Sequence, residues 1–321
     1  MKPTVFISGR IPEKARQMLE AHFEVTCHEG ENLLSSEEIG QGLGDKDALL
    51  SLLSDPITSD VINNAPNLKI IANYGAGFNN IDVAAATARN IPVTNTPAVS
   101  TAATAELTMG LLIAVARRIV EGDKLTRAGE FTGWAPLFHL GVEVTGKTLG
   151  IFGLGNIGKA VAKRAKGFDM PIIYHSRTRL SPEEEVALGV TYVTFDELLA
   201  QSDFLSLHSS YSPALHHLLG AAEFKKMKPT AYLISAARGQ MIDEAALAEA
   251  LANKIIAGAG LDVYEFEPKV TEALFPMANV VLAPHLGNAT IETRDAMAEI
   301  AAKNIIDVLS GGPGINVVNL K

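Results

Sequence analysis

The sequence KTLGIFGLGNIG, at residues 147–158, places three glycines in the order G-x-G-x-x-G directly after an apolar run. Gly153 permits a tight turn, Gly155 lets a pyrophosphate approach the backbone, and Gly158 allows a helix to pack closely on the strand. The following NIGKAVAKRAKGF predicts that helix, whose N-terminal amides and dipole favour phosphate groups. The stretch therefore predicts a dinucleotide-binding unit, with a purely structural turn as the alternative.

The strand that follows lacks the acidic residue that would accept a hydrogen bond from the ribose 2′-hydroxyl of NAD. It is followed instead by Ser176, Arg177, Thr178 and Arg179, and the first acid is Glu183. The first three could hold a 2′-phosphate through charge-assisted hydrogen bonds. The sequence predicts NADP as the preferred cofactor, with NAD possible. The alternative is that both arginines are solvated surface charges.

Short apolar runs alternate with helical patterns in both directions from this motif, which predicts parallel sheets covered by helices. The predicted strands lie at 4–8, 48–53, 69–74, 91–95, 147–153, 170–176, 203–209, 230–236, 256–263 and 279–285. The predicted helices lie near 12–22, 58–64, 81–89, 101–120, 156–167, 182–188, 195–200, 221–227, 243–252 and 290–310. We expect two doubly wound α/β domains, one formed by 1–100 with 289–321 and the other by 101–288.

The composition excludes several classes of function. A net charge of −9 does not steer a chain toward nucleic acid or anionic lipid. The longest apolar stretch, LTMGLLIAVA at 107–116, is shorter than the ~20 residues of a membrane span. The single cysteine, Cys27, forbids an internal disulfide, and the N-terminus lacks the apolar region of a signal peptide. We expect a cytoplasmic protein.

Three polar strings each follow a predicted strand of the second domain. They are ISAARGQMIDEAAL at 234–247, GAGLDVYEFEP at 258–268 and VVLAPHLGNAT at 281–290. Ligands bind at the carboxyl ends of parallel strands, so these strings should converge near the nicotinamide of the cofactor. The side chains expected there are Arg238, Asp262, Glu267 and His285.

Together with NYGAGFNNID at 73–82, these strings resemble the D-isomer-specific 2-hydroxyacid dehydrogenases over nearly the whole chain. The resemblance implies a flavodoxin-like and an NAD(P)-binding Rossmann-like domain with the active site in the cleft between them, usually as a homodimer. It implies Arg238, Glu267 and His285 as the catalytic triad. The implied reaction is reduction of a 2-keto acid to the D-2-hydroxy acid.

The resemblance also implies further contacts. Leu53, Ala76 and Gly77 would join Arg238 in binding the substrate, the last two through backbone amides or else as part of an ordinary glycine turn. The additional cofactor-binding residues would be Thr104, Asn156, Ile157, His208, Pro213, Ala236, Asp262 and Gly287.

The residue types agree with that chemistry. A histidine titrates near neutrality, so His285 can give a proton to the carbonyl oxygen of the substrate. A neighbouring carboxylate, Glu267, would stabilise the imidazolium and raise its pKa. Arg238 can pair with the substrate carboxylate. Without the other motifs, His285 would more readily be interpreted as a structural histidine.

The substrate is predicted from the FTGWAP segment, which looks like the glyoxylate/hydroxypyruvate reductase branch. Trp134 could fill the pocket and favour short keto acids, or it could pack at a domain surface or dimer interface. Pyruvate and longer 2-keto acids stay open, since one methylene shifts selectivity by only about 1–3 kcal/mol.

Two other functions use this fold. One is a nucleotide-sensing interaction protein similar to the C-terminal binding protein corepressors, which can keep the triad. The other is formate dehydrogenase-like chemistry, which Glu267 disfavours because that branch has glutamine there. We expect no metal, because His216 and His217 are adjacent and should point apart, with no further ligands near them in sequence.

Overall fold

A computed structural model describes residues 2–320. The chain divides into two compact units, Met1–Ser100 with Ala289–Lys321 and Thr101–Asn288. Each unit contains one fully parallel sheet, of five and seven strands respectively. The predicted α/β class is confirmed.

The first unit has the strand order β2-β1-β3-β4-β5, which is the flavodoxin-like order. Its strands are β1 Thr4–Ile7, β2 Glu24–Cys27, β3 Ala48–Leu52, β4 Ile70–Tyr74 and β5 Val93–Thr94. Its helices are α1 Glu13–His22, α2 Ser36–Leu43, α3 Ser59–Asn63, α4 Val83–Ala88 and the distant α12 Ile291–Leu309.

The side chains of β1 show how this sheet is buried on both faces. Val5 and Ile7 pack in a core with residues of α1 and α12, such as Leu19 and Met297. Phe6 points the other way, into a core with α2 and α3. Because parallel strands are covered on both sides, they are apolar throughout, which is why the sequence predicts β1, β3 and β4 well.

The second unit has the strand order β12-β11-β10-β9-β6-β7-β8, the Rossmann arrangement with one added strand. Its strands are β6 Leu149–Phe152, β7 Ile172–His175, β8 Thr191–Tyr192, β9 Phe204–Leu207, β10 Tyr232–Ser235, β11 Gly258–Leu261 and β12 Val280–Leu282. Its helices are α5 Thr101–Ala116, α6 Ile119–Arg127, α7 Asn156–Ala165, α8 Pro182–Leu188, α9 Phe195–Gln201, α10 Ala221–Phe224 and α11 Glu244–Ala252. Short 3₁₀ turns occupy Lys166–Phe168, Pro213–Leu215, Gly239–Met241 and Glu272–Leu274.

The structure corrects the prediction at four elements. The helix predicted at 101–120 ends at Ala116, because Arg118 adopts a left-handed conformation with φ of 54° and a separate helix, α6, follows. Strands β2 and β8 and helix α2 are not among the predicted elements. The β2 strand has alternating exposed and half-buried residues rather than an apolar run, so the pattern that reveals the other strands is weak there.

Candidate functional site

The glycine turn of the second unit has the geometry that a dinucleotide requires. Gly153 has φ of 92°, and a Cβ there would lie 2.7 Å from the backbone nitrogen of Ser209. A Cβ on Gly158 would lie 2.3 Å from the Gly153 carbonyl oxygen. Gly155, in contrast, faces open space and caps α7 with no side-chain hydrogen bond. The first helical amides, those of Asn156 and Ile157, are thus open to a ligand's phosphate.

Two buried polar atoms lie where the neighbouring strands of the same sheet end. His208, just after β9, bonds Ser206 Oγ through Nε2 at 2.7 Å, while its buried Nδ1 has no partner among residues 2–320. Ser235 Oγ, at the end of β10, is likewise buried and unpartnered within that part of the chain. Burial lowers the pKa of His208 to about 4, so its ring is neutral at neutral pH. The open glycine turn and these unpartnered groups fit a polar cofactor.

The residues after β7 distinguish Arg177, which is predicted to hold the 2′-phosphate, from Arg179, which is not. Arg179 donates to both oxygens of Glu185 and lies over the Tyr192 ring at 5.1 Å. Arg177 is exposed and has no ion-pair partner among the described residues. The Gly153 amide donates to the His175 carbonyl at 2.8 Å, so the Ser176–Thr178 segment begins beside the glycine turn.

His285 and Glu267 form the central pair of the site. His285 Nδ1 lies 2.9 Å from Glu267 Oε2, and the side chains are 32% and 34% exposed. The carboxylate accepts the proton on Nδ1, which leaves Nε2 as the nitrogen for proton exchange with a ligand. Glu267 Oε1 accepts from the Tyr264 amide at 3.0 Å, so both carboxylate oxygens are fixed.

The charge of Glu267 is maintained against its partial burial. Burial raises the pKa of Glu267, but the hydrogen bond and charge of His285, the Tyr264 amide and the charge of Arg238 together hold that pKa below its ordinary value. Burial lowers the pKa of the Arg238 guanidinium, and the charge of Glu267 opposes that effect. An arginine keeps its proton under such conditions, so the site presents a cation, an anion and a titratable imidazole.

Asp262 fixes the segment that carries His285. It is 1% exposed, and its two carboxylate oxygens accept from the amides of Leu286 at 2.6 Å and Gly287 at 2.8 Å. The His285 amide donates to the Asp262 carbonyl at 3.0 Å, and His285 has φ of 55°. Thr104 Oγ1 donates to the Gly287 carbonyl at 2.9 Å. Asp262 and Thr104, predicted to contact the cofactor, thus also anchor this turn.

Sequence reasoning assigned no role to two side chains that hold Glu267 in place. Buried Glu244 accepts from the amides of Glu265 and Thr271, which bracket Glu267. Tyr264 donates its hydroxyl to the Ala283 carbonyl at 2.8 Å. Both residues lie within the strings quoted above, and that position is the one feature of the sequence that indicates a role for them. Their hydrogen-bond partners are distant in sequence, so residue spacing does not reveal the contacts.

Three of the four predicted substrate residues, Leu53, Ala76 and Gly77, lie in the first unit, after β3 and β4, whereas Arg238 lies in the second unit, after β10. A Cβ on Gly75 would lie 2.8 Å from Leu53 Cδ1. Asn73 donates to the Gly77 carbonyl and Asn95 to the Ala76 carbonyl, both at 2.7 Å. These two asparagine side chains hold the turn, and its carbonyls are thereby occupied.

The remaining predicted residues belong to the second unit. Ala236 follows β10 directly, and Pro213 opens a 3₁₀ turn. Trp134 is 83% exposed in an irregular segment with other exposed apolar side chains.

The expectation that His216 and His217 point apart, on which the prediction of no metal site depends, is wrong. The rings of His216 and His217 do not point apart but stack, with centroids 4.0 Å apart, and Glu265 lies against His217. Glu265 is distant from both histidines in sequence, so residue spacing does not indicate this contact.

Comparisons with known proteins agree with this geometry. Residues 109–287 match the sequence model of the D-isomer specific 2-hydroxyacid dehydrogenase, NAD binding domain. A Staphylococcus epidermidis protein named as a candidate 2-hydroxyacid dehydrogenase is 55% identical over 315 residues, which are 98% of this chain and 99% of that one.

Solved structures are similar over the full chain. A protein from Thermus thermophilus is 40% identical, with a TM-score of 0.93 and coverage of 98% of this chain and 99% of that one. An NADPH-dependent glyoxylate/hydroxypyruvate reductase from Sinorhizobium meliloti, solved with NADP and malonate, is 33% identical, with a TM-score of 0.86 and coverage of 99% and 97%. Among residues 2–320, no helix combines the length and the apolar character needed to cross a membrane.

Proposed function

The chain belongs to the D-isomer-specific 2-hydroxyacid dehydrogenase family of NAD(P)-dependent oxidoreductases, and from that premise we propose that it reduces a small 2-keto acid, such as glyoxylate or hydroxypyruvate, to the D-2-hydroxy acid. The observation that carries the proposal is the 2.9 Å contact between His285 Nδ1 and Glu267 Oε2.

In this proposal His285 is the proton donor. With Nδ1 bound to Glu267, the imidazolium gives the proton on Nε2 to the carbonyl oxygen of the substrate, and Glu267 stabilises the cation before transfer. Arg238 pairs with the substrate carboxylate and polarises the keto group, because a guanidinium offers several donors in one plane. When bound, the nicotinamide cofactor supplies the hydride.

Substrate contacts are also proposed for three residues of the first unit. The backbone amides of Ala76 and Gly77 would donate to the substrate carboxylate, and Leu53 would contact its apolar part. The carbonyls of this turn already accept hydrogen bonds from Asn73 and Asn95. The backbone amides can therefore donate to an anion without competition from those carbonyls.

We further propose a preference for NADPH. Exposed and unpaired within the described chain, Arg177 is available for a 2′-phosphate, whereas Arg179 is occupied by Glu185. The similar Sinorhizobium meliloti reductase, named as NADPH-dependent, adds support. Arg177→Ala should raise the KM for NADPH and leave that for NADH unchanged, while Arg179→Ala serves as the matched control. Equal KM values for both cofactors in the unmodified enzyme would contradict the preference.

The decisive experiment for the activity is a steady-state assay. The purified protein is mixed with glyoxylate, hydroxypyruvate or pyruvate, and the loss of NADPH and of NADH is followed by absorbance. Rapid oxidation with one keto acid would support the reductase and identify its substrate class. Tight cofactor binding without turnover on any of them would favour a nucleotide-sensing protein.

A homodimer is the proposed assembly. The segment 131–140 exposes Phe131, Trp134, Leu137 and Leu140 by 56%, 83%, 85% and 58%. Contiguous exposed apolar side chains are typical of an interaction surface. Light scattering should give twice the chain mass, and Leu137→Ser with Leu140→Ser should reduce it to that of a monomer. A monomer in the unmodified protein would refute this assembly.

A further inference from the structure

A second cluster of chemically active side chains lies in the second unit and includes no member of the triad. His216, His217 and Glu265 each offer one atom able to bind a metal, and these atoms all lie within 4.8 Å of one another. The two imidazole rings stack with an angle of 19° between their planes. His217 Nε2 lies 2.6 Å from Glu265 Oε1. Two imidazoles with one carboxylate are a donor set that zinc and similar ions use in proteins.

The backbone explains why two adjacent histidines face the same way. His217 has φ of 50°, in the left-handed region, so its side chain does not alternate with that of His216 as it would in a strand. The His217 amide donates to the Gln240 carbonyl at 2.9 Å, and the Leu219 amide donates to the Met241 carbonyl at 3.0 Å. The conformation is therefore fixed by bonds to a neighbouring segment.

The carboxylate is fixed as well. Glu265 has a side chain only 8% exposed, and its second oxygen, Oε2, accepts from the Glu244 amide at 3.4 Å. The Glu265 amide in turn donates to the Glu244 carboxylate. On the outer side, the Tyr211 hydroxyl lies 3.5 Å from His216 Nδ1. Ligands that are held by their own hydrogen bonds bind a metal with less loss of conformational freedom.

We propose that His216, His217 and Glu265 bind a divalent transition-metal ion, with Zn²⁺ as the best match. Nitrogen donors favour such an ion over Mg²⁺ or Ca²⁺, which take oxygen ligands. The two histidines are exposed, so water completes the coordination. The competing explanation is a simple hydrogen bond between His217 and Glu265, in which His216 has no part.

His216 separates these explanations, because it is needed for a three-ligand site and not for the pair. The test is calorimetric titration of Zn²⁺ into the untagged full chain after treatment with a chelator. We expect one ion per chain, and an affinity reduced by about 10- to 100-fold or more in His216→Ala and in Glu265→Gln. Both histidines lie on the surface, so circular dichroism should show an unchanged fold for His216→Ala.

Two control variants test other zinc ligands. His22→Ala removes an exposed histidine of α1, and Cys27→Ser removes the one thiol. Neither should change the affinity. Replacement of zinc by Co²⁺ should give a visible absorption band that His216→Ala abolishes. The proposal is overturned if no ion binds, if His216→Ala binds as tightly as the unmodified chain, or if Cys27→Ser abolishes binding. The test does not depend on the reductase activity.

Discussion

Glu267→Gln is the substitution that tests the proposed role of the carboxylate most directly. Glutamine has nearly the same shape, so one amide oxygen can still accept from either the Tyr264 amide or His285 Nδ1. It loses the charge, and its NH₂ group cannot accept the second of these bonds. The structure therefore predicts that Glu267→Gln removes one of these two hydrogen bonds and leaves at most a neutral acceptor for His285, whose Nδ1 lies 2.9 Å from the carboxylate.

The size of the effect follows from the strength of the lost interaction. A hydrogen bond to a charged group contributes about 1.5–3 kcal/mol and a neutral one about 0.5–1.5 kcal/mol. Both side chains are about one-third exposed, at 32% and 34%, so solvent screening places the difference near the lower end. A loss of about 1 kcal/mol corresponds to roughly a fivefold decrease in kcat. Removing the donor itself with His285→Ala should cost about 10²- to 10⁴-fold.

The assay compares kcat and KM with a saturating nicotinamide cofactor for Glu267→Gln, His285→Ala and the double variant. If Glu267 acts through His285, the double variant should be no slower than His285→Ala alone. Cofactor affinity should stay unchanged in all three. The exposed Glu272→Gln is the matched control and should behave as the unmodified enzyme. An unchanged kcat in Glu267→Gln, or independent effects of the two substitutions, would refute the reasoning.

Three further outcomes are expected. Asp262→Asn should destabilise the protein by about 1–3 kcal/mol and lower kcat, because one of the two backbone amides that donate to the carboxylate loses its partner. Melting curves and rates equal to those of the unmodified protein would contradict this. Folding lowers the pKa of His208 to about 4 from an unfolded value of about 6.5, so between these values the unfolded chain binds more protons than the folded one. The free energy of unfolding should therefore fall by about 3 kcal/mol as the pH decreases from 6.5 to 4, and His208→Gln should reduce the dependence of the denaturation midpoint on pH. Gly158→Ala should cost about 1–3 kcal/mol of stability because its Cβ would meet the Gly153 carbonyl, whereas Gly155→Ala, at a position that faces open space, should keep the stability and weaken cofactor binding. If melting and binding measurements show that Gly155→Ala lowers stability and Gly158→Ala does not, the glycine turn is wrongly assigned.

The pattern of residues predicted most of the fold because the relevant physics is local. Strands covered on both faces must be apolar, so β1, β3, β4 and β6 are visible as short runs of valine, isoleucine and leucine. Where burial is weak the pattern fails, as at β2, whose outer residues are exposed. The break between α5 and α6 was missed because Arg118 takes a left-handed conformation that its residue type does not indicate.

Residue patterns along the chain predict the parallel architecture, the glycine turn and the strings that carry Arg238, Glu267 and His285, since each depends on residues close together in the chain. The folded chain determines how groups that are distant in sequence meet. It paired His285 with Glu267, engaged Asp262 with the amides after His285 and placed Glu265 against His217. These contacts depend on where strand ends lie in the sheet and on individual backbone torsions, which long-range packing fixes and residue spacing does not reveal.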